Sequence, residues 1–187
     1  MKYLVAGLGN IGDEYQDTRH NIGFMILDAL ANASNISFTD KRYGSISEYR
    51  FKGRIFVLLK PSTYVNLSGK AVNYWLAKEE IEPSNLLVLI DDIALPFGTL
   101  RLRPRGSDGG HNGLASIIQV LGTQELTRLR FGIGGDYPHG LQVEYVLGRW
   151  SKEEQLQLPG RIETCHEIIR SFGTAGIERT MNQYNNR

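Results

Sequence analysis

The sequence predicts an α/β fold: one domain over residues 1–187, built on a twisted mixed sheet, mostly parallel, with helices on its faces. Three observations lead there. Short apolar runs of strand length alternate with stretches whose apolar residues recur at helical spacing. The segment Phe51-Lys52-Gly53-Arg54 joins two β-like runs too closely for a crossover, so at least one antiparallel pair accompanies the parallel core. No repeat, low-complexity tract or long linker divides the chain, and 187 residues bury enough surface to fold without disulfide, metal or obligatory partner.

Residues 2–6 read as a buried strand. A helix over 22–31 follows, with Ile22, Met25, Ile26, Ala29 and Leu30 on one face. Strands at 46–51 and 54–60 form the hairpin, and a helix over 68–78 leads to an apolar strand at 86–90 that ends in Asp91 and Asp92. Strands at 99–102 and 129–133, and helices over 113–121 and 161–171, complete the pattern. Residues 103–113 and 134–140, rich in Gly, Pro and Asp, read as loops.

Composition narrows the function. The formal charge is only +1, so attraction to nucleic acid has to come from local clustering, which Arg101, Arg103, Arg105, Arg128 and Arg130 supply. Cys165 is the single cysteine, which rules out an intramolecular bridge and favours a reducing compartment. With neither a signal-peptide core nor an Arg-rich presequence at the start, and no apolar run near membrane-spanning length, a cytoplasmic protein away from the membrane is expected.

The richest segment is Asn10-Ile11-Gly12-Asp13-Glu14-Tyr15-Gln16-Asp17-Thr18-Arg19-His20-Asn21, between the first strand and the first helix. Gly7, Gly9 and Gly12 satisfy the dinucleotide pattern G-x-G-x-x-G. That fold, however, needs the third glycine to open directly into a helix with an apolar face, which residues 13–21 lack, and Asp28 falls inside the helix instead of ending a second strand. A tight turn explains the glycines better, though not the polar side chains around them. A phosphate-loop nucleotidase is excluded in the same way: Asp91 and Asp92 resemble its acidic strand end, but Gly69-Lys70 is followed by Ala71 and no Walker A motif exists.

Asp91 is a site candidate because ligands gather at strand ends in α/β sheets; its bland role would be to solvate the turn before Pro96. In the run from Lys60 to Val72, Ser68 is a candidate helix cap, whereas Tyr64 and Asn66 are not needed for capping and can face a ligand. Residues 106–113 bring backbone N–H groups to a helix start suited to an anion or oxyanion, with Asn112 as a candidate cap. Cys165 and His166 are adjacent on a helix and diverge. There is no G-x-S-x-G elbow, and His20, His111, His139 and His166 lack zinc-ligand spacing, so a covalent serine, a covalent cysteine and a zinc mechanism all find little support.

Six motifs stand in register: Gly7-Leu8-Gly9-Asn10; Tyr15 with Thr18-Arg19-His20-Asn21, Gly23 and Phe24; Lys60-Pro61 with Thr63-Tyr64, Asn66-Leu67-Ser68-Gly69; Asp91-Asp92 before Leu95-Pro96; Gly109-Gly110-His111-Asn112-Gly113-Leu114; and Arg128-Leu129-Arg130-Phe131-Gly132-Ile133-Gly134 with Tyr145-Val146-Leu147-Gly148. Together they closely resemble the bacterial peptidyl-tRNA hydrolase family over nearly the whole chain. The resemblance implies a peptidyl-tRNA hydrolase-like fold and a monomeric esterase without metal or other cofactor, which cuts peptide from the 3′-ribose of tRNA. It implies His20 as the base that activates water and Asp91 as its carboxylate, with Asn10 distinguishing a blocked amino group from a free ammonium. It further implies Tyr64, Asn66 and Asn112 at the peptide or tRNA end, Asn112 also orienting water or oxyanion, Tyr15 against the 3′ end, and Arg101, Arg103 and Arg130 on acceptor-arm phosphates.

Ile11 stands where the family usually has Pro, Val65 where Met is usual, and Ala94 where an acid commonly precedes Leu-Pro, and residues 135–140 differ from the usual loop. The competing class is a non-catalytic RNA-processing protein on the same scaffold. The presence of His20, Asp91, Asn10 and Asn112 together favours the enzyme.

Overall fold

The computed structural model describes residues 1–186. One seven-stranded sheet organises them, in the order β2-β3-β4-β1-β5-β7-β6. The strands are β1 (Lys2–Gly7), β2 (Thr39–Lys41), β3 (Gly44–Phe51), β4 (Arg54–Pro61), β5 (Leu86–Asp92), β6 (Leu100–Arg103) and β7 (Thr127–Gly132). The four central strands β4, β1, β5 and β7 run parallel, while β2, β3 and β6 add antiparallel edges. Phe51 pairs with Arg54 across the expected hairpin.

Two-residue alternation sends successive side chains to opposite faces, and both faces of the central strands are apolar because helices cover both. On one side Val5, Leu58, Leu87, Leu89 and Phe131 pack against α1 (Ile22–Ala33) and α5 (Lys152–Thr174). On the other, Leu4, Ala6, Val57, Val88 and Ile90 pack against α2 (Ser68–Lys78) and α3 (Asn112–Leu121). The short α4 (Gln142–Val146) and the final α6 (Ile177–Tyr184) complete the chain.

Three elements escaped the sequence reading. β2 is three exposed residues, α4 is a single turn or so, and α6 is a short amphipathic helix anchored by the buried Thr180 and Tyr184. The fourth expected helix begins at Lys152, because the Ser151–Glu154 capping box nucleates it upstream and the helix then continues through Pro159.

The chain leaves β1 toward β4 on one side and leaves β5 toward β7 on the other, so the carboxyl ends of β1 and β5 flank a switch-point crevice. The glycines beside it serve packing. A Cβ on Gly7 would lie 2.4 Å from the Gly23 carbonyl oxygen, so the start of α1 can rest on β1 only because both residues lack side chains.

Candidate active site

Asp91, the penultimate residue of β5, is 8 % exposed and lies at the crevice floor. His20 comes from a 3-10 turn, Arg19–Asn21, that leads straight into α1; its Nδ1 is 3.1 Å from Asp91 Oδ1 and 3.2 Å from Oδ2. His111 reaches the same carboxylate from the start of α3, with Nε2 3.0 Å from Oδ1. The two imidazoles stack with centroids 5.4 Å apart.

The tautomers follow from the partners. Backbone N–H groups of Gly113 and Leu114 donate to His111 Nδ1 at 3.1 and 3.3 Å, so the His111 proton sits on Nε2 and is donated to Asp91. His111 is therefore the cap of α3, and Asn112 is its first residue, contrary to the expectation that Asn112 caps the helix. Likewise Ser68 is no cap: it is the first residue of α2 and its hydroxyl donates to the Val65 carbonyl at 2.7 Å.

Burial would raise the Asp91 carboxyl, but hydrogen bonds and charge from His111 and His20 outweigh it and hold the group well below the usual carboxylate range. For His20, burial pulls the imidazole down, while the hydrogen bond and charge of Asp91 pull harder, leaving it above its ordinary 6.5. His20 Nδ1 is committed to Asp91, which leaves Nε2 as the nitrogen free to work.

His20, Asp91 and His111 offer three ligand atoms within 4.8 Å of one another. Their proton pattern does not suit a divalent ion. A metal on His111 Nε2 would drive the proton to Nδ1, which already faces two N–H donors.

A cleft of about 320 Å³ opens over this cluster, lined by Asn10, His20, Asp91, His111 and Asn112 together with Val65, Ile93, Val143 and Val146 among others. No Ser, Thr, Cys or Lys lines it. Cys165 is fully buried elsewhere, its thiol pushed up to about 12 by burial, and His166 is spent on the Ile26 carbonyl at 2.9 Å.

The remaining sequence candidates lie around the mouth. Asn66 is exposed beside Val65, and Tyr64 is 81 % exposed in the same turn. Tyr15 is half-buried outside the cleft lining, its carbonyl accepting from the Thr18 hydroxyl at 2.7 Å. Arg103 and Arg130 line an adjoining pocket of about 270 Å³ with Arg105, and Asp92 takes the Arg130 guanidinium at 2.5 Å. Arg101 pairs with Arg130 across the strands but does not line that pocket.

Two corrections follow. Arg128 is 3 % exposed and donates to the Leu126, Ser107 and Gln124 carbonyls at 2.6, 3.0 and 3.1 Å, so it braces the loop and is lost to any basic surface. The N–H groups near residue 110 are largely used, by His111 Nδ1 and by Asp108 Oδ1 at 2.8 Å, so the helix start is not an open anion cradle. Sequence reasoning also missed His111 as a cluster member. Its available signal was its place directly before a helix, where a side-chain acceptor caps.

Fold and site together define an α/β protein with a carboxylate-held imidazole at a switch-point crevice and no Ser, Thr, Cys or Lys in the cleft lining. The family model described as Peptidyl-tRNA hydrolase matches residues 4–187. Proteins named peptidyl-tRNA hydrolase from Bacteroides fragilis and Cytophaga hutchinsonii are 59% and 53% identical over 187 residues, covering 100% of this chain and 100% of each relative. A solved peptidyl-tRNA hydrolase structure from Acinetobacter baumannii superposes with a TM-score of 0.91 at 32% identity, covering 98% of this chain and 94% of that one. This chain belongs to the peptidyl-tRNA hydrolase family.

Proposed function

We propose that residues 1–187 work as one catalytic domain in which His20 activates water against the ester of peptidyl-tRNA. The enzyme hydrolyses the bond between peptide and tRNA, as its family membership states. The observation that carries the mechanism is a carboxylate-held imidazole whose Nε2 is left free at a cleft with no Ser, Thr, Cys or Lys in its lining, which supports water as the nucleophile.

His20 Nε2 takes a proton from water while the oxygen attacks the ester carbonyl carbon, and Asp91 stabilises the imidazolium that forms. The tetrahedral oxyanion accepts a hydrogen bond from Asn112, which heads α3 at the cleft and whose carboxamide has no protein partner among the described residues. Collapse expels the 3′-oxygen of the ribose, which takes the proton back from His20. The products are a peptide acid and a tRNA with a free 3′-hydroxyl.

Asn10 lines the cleft with its carboxamide unpartnered, which suits a neutral peptide-like N–H and leaves a free ammonium poorly matched. Asn66, Tyr64 and Tyr15 are available to the peptide and the 3′ end, where an exposed ring can stack on a base or ribose. Arg103 and Arg130, with Arg101 on the same sheet face, grip acceptor-arm phosphates without reading sequence. The protein acts as a monomer in the cytoplasm; no helix among the described residues is long and apolar enough to cross a membrane. A non-catalytic RNA-processing role would leave the His20–Asp91–His111 geometry without a purpose.

The test is release of N-acetylamino acid from N-acetylaminoacyl-tRNA by purified protein with EDTA present. Turnover that vanishes with EDTA and returns with metal, or that survives His20→Ala, would overturn the mechanism.

A further inference from the structure

We infer that Asn21 is a positioning residue that aims Asn10 at the substrate's acylated amino group and fixes its place relative to His20. The inference rests on the reading of Asn10 given above. Asn21 is 4 % exposed, and both functions of its carboxamide are spent on one neighbour. Its Oδ1 accepts the Asn10 backbone N–H at 2.8 Å, and its Nδ2 donates to the Asn10 carbonyl at 2.8 Å. A single side chain thus supplies the two bonds that a neighbouring strand would give, at a point where β1 has already ended.

The consequence concerns the Asn10 side chain. Left to itself, an Asn in a loop turns its carboxamide onto nearby backbone in an Asx-type bond. With the local backbone groups already satisfied by Asn21, the Asn10 carboxamide keeps its full hydrogen-bonding capacity for the cleft it lines. Asn21 also directly follows His20 in the same 3-10 turn, so one brace sets the separation between the group that meets the amino end and the base that attacks the ester.

The residue type is dictated by this geometry. Asp lacks the donor and would bring a second buried negative charge near Asp91, and Gln is one methylene too long for an amide already in contact. Gly9 seals the arrangement from the other side, since a Cβ there would lie 2.7 Å from Asn21 Oδ1.

The experiment compares kcat/KM on N-acetylaminoacyl-tRNA with kcat/KM on aminoacyl-tRNA bearing a free α-amino group. Asn21→Ala should lower that ratio roughly tenfold, the worth of about one net hydrogen bond. In an Asn10→Ala background the same change should lower it no further, whereas a merely structural role would cost as much in either background. If Asn21→Ala does not fold, Asn21→Asp, which keeps the acceptor and loses the donor, serves in the same cycle. A folded Asn21 variant with the wild-type ratio, or one whose effect persists undiminished in the Asn10→Ala background, overturns the inference. Should Asn10→Ala itself keep the wild-type ratio, the reading of Asn10 fails and the inference falls with it; a low ratio for Asn10→Ala beside a normal one for Asn21→Ala overturns the inference alone.

Discussion

The floor and the rim of the cleft are built on opposite terms. On the floor every polar group is spoken for: Asp91 takes donors from two histidines, His111 uses both ring nitrogens, and only His20 Nε2 is left over. On the rim, Asn66 and Asn112 are exposed and carry carboxamides without protein partners among the described residues, and Tyr64 stands almost wholly in solvent. A polar group held by protein is preorganised for chemistry, and one left unpaired at a cleft mouth is available for a ligand. Floor substitutions should therefore act on kcat and substitutions of Asn66 and Tyr64 on KM, whereas Asn112, as the proposed oxyanion donor, should act on kcat from the rim.

The largest effect belongs to His20→Ala, which removes the only uncommitted base. A fall of about 10²–10⁴ in kcat is expected, with tRNA binding unchanged in a filter or calorimetric assay. Near-normal turnover would erase the contrast altogether.

Next comes Asp91→Asn, expected to slow cleavage roughly a hundredfold and to move the acid limb of the pH–rate profile. His20 has to be neutral to accept a proton, and its pKa lies above 6.5 only because Asp91 outweighs burial. With that charge removed burial dominates, so the limb should shift to lower pH. The stability contribution has the matching sign: the His20–Asp91 attraction is fully present below about pH 6.5 and is lost as pH rises through the raised folded value. A limb that stays in place would detach Asp91 from His20.

His111→Asn sharpens the comparison, because it separates two jobs of one residue. Asn is a good helix cap, so the variant should stay within about 1 kcal/mol of wild type in thermal or denaturant unfolding. It is too short to reach Asp91, and kcat should fall about tenfold through the lost hydrogen bond. Loss of stability without loss of rate would reduce His111 to a cap.

The smallest expected effect is on the outer flank. Changing Arg103 and Arg130 to Ala should raise KM and flatten the salt dependence of tRNA binding by about one ion per lost contact, leaving kcat on a short N-acetylaminoacyl-adenosine ester unchanged. An unaltered slope would place the RNA elsewhere.

How much of this was legible beforehand differs by element. The buried strands at 2–6 and 86–90 and the helices starting at 22 and 68 are plain in the apolar spacing, since each meets the core over its whole length. β2 has no buried residue and exists only because β3 offers it an edge, which no local pattern can announce. The apolar spacing that marks a helix over 161–171 covers only the inner part of α5, which the capping box at Ser151 and Glu154 starts at Lys152.

At the site, His20, Asp91, Asn10 and Asn112 were recognisable as residue types in a familiar order, and all four line the cleft. Arg128 looked like part of a basic surface, for a sequence cannot say which of several arginines will find carbonyls to donate to.

The amino-acid order by itself determined the α/β class, the strands and helices whose periodicity meets the core, and the inventory of groups able to do chemistry. Only the tertiary structure decided that Asp91 sits between imidazoles 71 and 20 positions away in the chain, with the proton of one placed by a helix end and a nitrogen of the other left free. The physical reason is that local patterns govern local shape, whereas the order of strands in the sheet decides which distant loops share a crevice, and hydrogen-bond partners assign protons only after those loops have met.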